Sequence, residues 1–202
     1  MKLYSYVVSR DYGFAPNPFF GVCTLATCKP VIRRVAKVGD VILGTGSAEE
    51  NRQGQVVFAM RVTRALSFDE YWEDERYRQK RPYLRGSVKQ RVGDNIYHHD
   101  GGTKKWLQED SHHSYLGGKT NRANLLNDTQ TPRLLLSDRF VYWGGNGPMI
   151  PTRLRMDAGL DVCAQRGHRV NFSPQFKERL LEWLRSLDTC GYAGDPYRFD
   201  HR

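Results

Sequence analysis

Residues 3–47 read LYSYVVSRDYGFAPNPFFGVCTLATCKPVIRRVAKVGDVILGTGS, and their order of patterns sets the fold class. Leu3, Tyr4, Tyr6, Val7 and Val8 are strand formers at alternating spacing, which predicts a strand over residues 1–9. Residues 10–21 then hold two prolines, two glycines and an Asn-Pro step, so regular structure gives way to a shaped loop. Pro30 suits the first turn of a short helix, with Val31, Ile32 and Val35 on its inner face. Gly39-Asp40 reads as a tight turn, and Val41 to Gly46 as a buried strand. Strand, loop, helix and strand in quick succession argue for an α+β protein.

The same grammar continues outward. QVVFAMRVTRA, residues 55–65, is the clearest strand in the chain, and the polar residues 48–54 suit a hairpin loop before it. Ser67 with Glu70 three residues on forms a capping box, followed by a short helix over 70–79. A strand is expected over 92–97, and an irregular excursion over 101–128. RLLLSDRFVYW, residues 133–143, reads as a core strand closed by GGNGP. Ser173-Pro174 starts a last helix that puts Phe176, Leu180, Trp183, Leu184 and Leu187 on one face. Gly191 ends it, and 192–202 reads as a tail. With no repeats and no linker, one domain over 1–202 is expected: a core with a pocket over 1–100, an insertion over 101–131, and a closing strand and C-terminal helix over 132–190.

A chain of 202 residues can bury roughly 70% of its unfolded surface, so it needs no staple. No run of about 18 apolar residues exists to span a membrane. The first residues are too polar for a signal-peptide core. Cys23, Cys28, Cys163 and Cys190 are therefore expected to be reduced, in the cytoplasm. Cys23 and Cys28 lack a second pair at zinc-site spacing, so no metal and no cofactor are expected. The net charge of +9 favours polyanionic partners. It is densest over 76–91, where Arg76, Arg78, Lys80, Arg81, Arg85, Lys89 and Arg91 stand without an acid among them. Such a block can track a phosphate backbone.

Residues 10–47 also hold the densest functional grammar. Asp11 and Asn17 offer hydrogen bonds between the aromatic plates Tyr12, Phe14, Phe19 and Phe20, as a nucleobase pocket requires. Thr27, Cys28, Lys29 and Arg33 fall at a helix start, where amides and cations, with Arg10 nearby, suit a phosphate. Thr45 and Ser47 end a strand whose Gly44 and Gly46 allow close backbone approach. Cys28 beside Lys29 has two features that activate a thiol, although most such cysteines are small inert core residues. His98, His99, Asp100, Asp110, His112 and His113 could supply metal or acid–base groups, but their spacing fits a solvated loop better. Asp138, an acid within an apolar run, reads as a paired buried carboxylate or a pocket residue. No P-loop follows either glycine cluster.

The run from Tyr4 to Ser47, with LLLSDRFVYWGGNGP at 134–148, resembles the second nucleotide-modification-associated domain family. These are small bacterial and phage proteins grouped by genomic context with DNA-modification systems. A looser likeness, in the order of elements, is to PUA-like domains of the EVE, YTH and ASCH kind. That likeness implies a curved β-barrel with flanking helices and a C-terminal helix. It also implies a nucleic-acid or nucleotide binding protein that recognises a modified base in a DNA-modification or phage-defence setting, with the base held among aromatics and its edge read by Asp11, Asn17, Thr45 or Ser47. In that reading Arg10, Lys29 and Arg33 hold phosphate, while Arg76, Arg78, Arg81, Arg85 and Lys89 follow a strand of nucleic acid, DNA above all. The alternatives are a nucleotide- or base-modifying transferase or hydrolase using Asp11, Cys28, Lys29 or Asp138, and a protein-interaction module.

Overall fold

The computed structural model describes residues 1–199. The expected first strand is β1 (Leu3–Val8), and the second is β3 (Val41–Gly46). Between them lie β2 (Cys23–Leu25) and α1 (Pro30–Val35), with Pro30 in the first turn. β1 and β3 pair in parallel, so this connection is a crossover that carries the loop over one end of the sheet. Only Ile32 and Arg33 of α1 turn inward; Val31 and Val35 are exposed, contrary to the expected face.

The strand expected over 55–65 bends into β4 (Val56–Arg61) and β5 (Arg64–Ser67). After the capping box, α2 (Phe68–Glu73) runs to α3 (Val88–Arg91) through a six-residue 3-10 turn. The strand expected over 92–97 forms later, as β6 (Tyr97–His99), which pairs with β7 (Trp106–Gln108). α4 (Arg122–Asp128) falls inside the stretch expected to be irregular. The expected strand over 133–143 is β8 (Arg133–Ser137) and β9 (Arg139–Tyr142). The short β10 (Met156–Asp157), β11 (Leu160–Asp161) and β12 (His168–Arg169) precede α5 (Pro174–Ser186) and β13 (Gly191–Tyr192).

Six strands form one sheet in the order β12-β1-β3-β4-β9-β13, and three form another in the order β2-β8-β5. Two chain segments pass from sheet to sheet. At the bend Ser137 donates its hydroxyl to Arg61 O at 2.6 Å, and Thr63 N donates to Leu136 O at 2.9 Å. The ladder's polar groups therefore stay satisfied where pairing switches sheets. The sheets curve together without closing, so the expected closed barrel is absent among the described residues. A mixed α+β architecture stands.

One face of the large sheet packs under α5, through Leu3, Leu43, Val141, Phe176 and Leu180. The other face, with Tyr6, Phe58, Met60 and Tyr142, meets β2, β8 and Ile32. A third cluster, around Phe14, Phe68, Tyr71, Tyr97 and Leu136, supports the loop and the β6–β7 hairpin. The glycines of VILGTG serve this packing. A Cβ on Gly44 would lie 2.2 Å from the Phe58 ring, and one on Gly46 would lie 2.5 Å from Arg52 O. The expected tail is not loose at its start: β13 extends the large sheet beside β9. Its last positions, 200–202, lie outside the described residues. No helix among the described residues is long and apolar enough to cross a membrane.

Candidate active site

The crossover from β1 to α1 opens a cavity of about 470 Å³. Tyr6 and the end of β1 form one wall, Arg10, Tyr12 and Phe14 a second, and Cys28, Lys29 and Pro30 the base of α1. The expected insertion closes it with His112, His113 and Asn127. His168 completes the rim.

Cys28 and Lys29 are successive residues in the left-handed region, with φ of 54° and 43°. Neither is glycine, so each carries a steric cost of about 1–2 kcal/mol. Such strain persists only where neighbours fix the backbone. They do so here. Asp128 Oδ1 accepts from Cys28 N at 2.8 Å, and Arg33 Nε donates to Cys28 O at 2.8 Å. The same guanidinium donates to Asp128 O at 2.5 Å and to Arg133 O at 2.8 Å. Arg33 thus ties the start of α1 to the end of α4 and to β8.

The strained turn presents Cys28 Sγ 3.7 Å from His113 Nε2. On the far side of the imidazole, Nδ1 lies 2.7 Å from Asp128 Oδ2. Asp128 is fully buried, and its carboxylate also accepts from the Tyr97 hydroxyl at 2.9 Å. Gln108 and Asn124 donate to His113 O at 3.1 and 2.9 Å, which fixes the histidine's backbone. Burial alone would push His113 down, but the bonds to Asp128 and Cys28 outweigh it and hold the imidazole up to about 9. At neutral pH it therefore faces the sulfur as a cation. A thiol, a proton-carrying imidazole and an orienting carboxylate in this order form the constellation of cysteine-based catalysis.

The same three side chains are also metal-ligand types, with donor atoms within 4.8 Å of one another. Their hydrogen bonds favour the catalytic arrangement. The carboxylate sits behind the imidazole on Nδ1, whereas the sulfur faces Nε2.

The cavity suits a flat anionic ligand. Tyr12 and Phe14 pack their rings against His112, at 4.6 and 5.2 Å between centroids. Lys29 Nζ sits 4.7 Å over the Tyr6 ring, and burial lowers its pKa against the opposing pull of Cys28. Burial and the charge of Lys29 also push His168 down, toward its neutral form. The Tyr6 hydroxyl is buried without a hydrogen-bond partner among the described residues.

Of the residues singled out from sequence, Arg10, Tyr12, Phe14, Cys28 and Lys29 meet at this cavity. Several others do not line it. Asn17 is buried, giving Nδ2 to Val92 O and taking a bond from Lys80 Nζ. Asp11 accepts from Tyr142 and Tyr197, and burial raises its pKa. Thr45 bonds Tyr6 O, Ser47 caps a short turn, and Thr27 is buried beside Cys28. Phe19 packs on Tyr192 and Phe199. Arg33 directs its donors to backbone carbonyls, so it is a clamp and not a phosphate ligand. Asp138 is exposed at the strand bend, which corrects the reading of a buried carboxylate.

The basic stretch is less uniform than its sequence. Arg76 pairs with Asp74 and Arg78 with Glu75, both from the preceding turn. Arg81 stacks on Trp72, and Lys80 is buried. Arg85 is exposed, and Lys89 lies 4.2 Å over the Tyr192 ring. His98 and His99 pair with Glu109 and Asp69, away from Cys28. Of the cluster, His112 and His113 reach the cavity, while nothing in the pattern marks Asp128 as the partner of His113.

Fold and site together define an α+β protein with a cysteine–histidine–aspartate centre at the floor of a small aromatic and cationic cavity. The family model for nucleotide modification associated domain 2 matches residues 1–202, and the chain belongs to that family. No curated protein and no solved structure matches it.

Proposed function

We propose that the protein is an enzyme of nucleotide modification that uses Cys28 as a nucleophile on a base or nucleotide held in the cavity. The observation that carries this reading is the Cys28–His113–Asp128 relay opening onto a space of nucleotide size. The family's association with nucleotide modification supplies the substrate class. A base, modified or awaiting modification, packs against Tyr12 and Phe14, and Arg10 and Lys29 meet its phosphate. A DNA-modification or phage-defence setting is consistent with this chemistry, and a free thiol nucleophile suits the reducing cytoplasm. The reading needs no closed PUA-like barrel.

The chemistry is substitution at an electrophilic carbon. The Cys28 thiolate attacks, a carbon–sulfur bond forms, and the bond to the leaving group breaks. His113 Nε2 gives the leaving group its proton. Water or an acceptor nucleophile then displaces sulfur and returns a proton to His113. Asp128 holds the imidazole in register throughout.

The test is incubation with nucleotides and with modified and unmodified DNA, read by mass spectrometry. A product, or an adduct on Cys28, is expected with the native chain and absent with Cys28→Ser. His113→Ala should lower the rate by about 100-fold or more. Turnover that survives Cys28→Ser contradicts the proposal. Saturable binding of a modified base with neither product nor adduct also contradicts it, and selects a reader of modified bases instead.

A further inference from the structure

The aromatic loop borders a second and larger space. A groove of about 1260 Å³ runs along α5, beside the bend of β4 and β9 and loop residues 18–21. Phe20 gives it an exposed aromatic wall backed by the buried Phe19, and Lys89 enters from the basic stretch to lie over the Tyr192 ring. Its edge carries an unusual pair. Arg61 and Arg139 are direct cross-strand partners on β4 and β9, and both are exposed. Like charges placed opposite one another weaken a sheet. Among the described residues neither forms an ion pair, so the fold does not neutralise them. Lys177 and Arg185 add positive charge from α5, while Asp138, Glu178 and Asp188 are the acids on the lining.

We propose that this groove binds single-stranded DNA, with backbone phosphates at Arg61 and Arg139 and a base against the exposed Phe20. The pairing of cations with stacking surfaces is the chemistry of strand binding. The loop that borders the groove also borders the Cys28 cavity, although Arg61 and Arg139 align with Val41, at the end of the sheet away from it. Phe14 lines one and Phe19 the other, and five residues of chain span at most about 18 Å. Resting on the enzymatic reading above, the substrate is then a base within a strand.

The experiment is fluorescence anisotropy with a labelled single-stranded oligodeoxynucleotide. Cys28→Ser protein is used, so that binding is read without turnover. Saturable binding is expected, weakening as salt rises. Arg61→Glu turns a like-charge cross-strand pair into an opposite-charge pair, so it should unfold at the same or a higher temperature. It should nevertheless bind DNA at least about ten-fold more weakly. Neutralising both arginines, as Arg61→Gln with Arg139→Gln, should reduce the salt slope by about 1.4, that is about 0.7 for each phosphate that is no longer neutralised. Binding unaffected by these changes, no binding at low salt, or tighter binding of the matching RNA overturns the groove assignment. Turnover of free nucleotides by a chain with no DNA affinity would sink the groove and leave the catalytic reading intact.

Discussion

At the residue scale His113 is the group on which the centre turns. Its proton is stabilised by Asp128 and by the sulfur of Cys28, against burial. Because the folded state raises this group from 6.5 to about 9, the folded chain binds the proton more tightly than the unfolded chain. The resulting stability is fully present below about pH 6.5 and is lost as pH rises through about 9. His113→Gln removes the titration. The gap in unfolding free energy between the native chain and this variant should therefore shrink steadily across that window, as read by urea denaturation. A gap that widens or stays constant with pH would show that the imidazolium is not held by these contacts. The sequence made Cys28 and Lys29 visible through their place before Pro30. It did not reveal their left-handed backbone, because that conformation is imposed by Asp128 and Arg33 through the fold.

At the scale of elements, α1, α4 and β8 meet through one guanidinium. Arg33 is fully buried, and burial lowers its pKa to about 10 against the pull of Asp128. Its three bonds go to carbonyls on three different segments. Arg33→Lys keeps the charge but replaces a planar fork with a single ammonium, which cannot reach all three. A loss of about 2–4 kcal/mol in stability is expected, since buried carbonyls are left without donors. Slower alkylation of Cys28 should accompany it, because the turn that presents the thiol is no longer pinned. Stability within about 0.5 kcal/mol of the native value would contradict the clamp. Element positions were largely readable: the capping box at Ser67, Pro30 and Pro174 at helix starts, and Val41–Gly46 as a strand. The readable signals were local hydrogen-bonding and dihedral rules. The bends at Val62-Thr63 and Asp138 were not readable, because a strand that changes sheets keeps its apolar pattern through the bend. α4 was missed because Asn121–Asp128 is mostly polar, and its buried end is the single residue Asp128.

At the scale of the whole molecule, the centre exists only because distant segments converge. Cys28 comes from the first crossover, and His113 and Asp128 from the stretch that read as an irregular insertion. The positive charge divides in the same way. Part of the basic stretch is consumed by Asp74, Glu75 and Trp72, and its Lys89 reaches the groove beside the aromatic loop. Sequence pattern showed the excess charge but not its distribution, since pairing and burial are decided by the fold. The central claim is that Cys28 is an activated nucleophile, and the chain carries its own control. Cys190 is exposed and Cys28 is only partly so, while Cys23 and Cys163 are buried. The measurement is modification by limiting iodoacetamide at about pH 7, mapped by peptide mass spectrometry. Cys28 should be labelled ahead of the more accessible Cys190, and His113→Ala should abolish that preference. Labelling in order of exposure, with Cys190 first in the native chain and no effect of His113→Ala, would contradict the account.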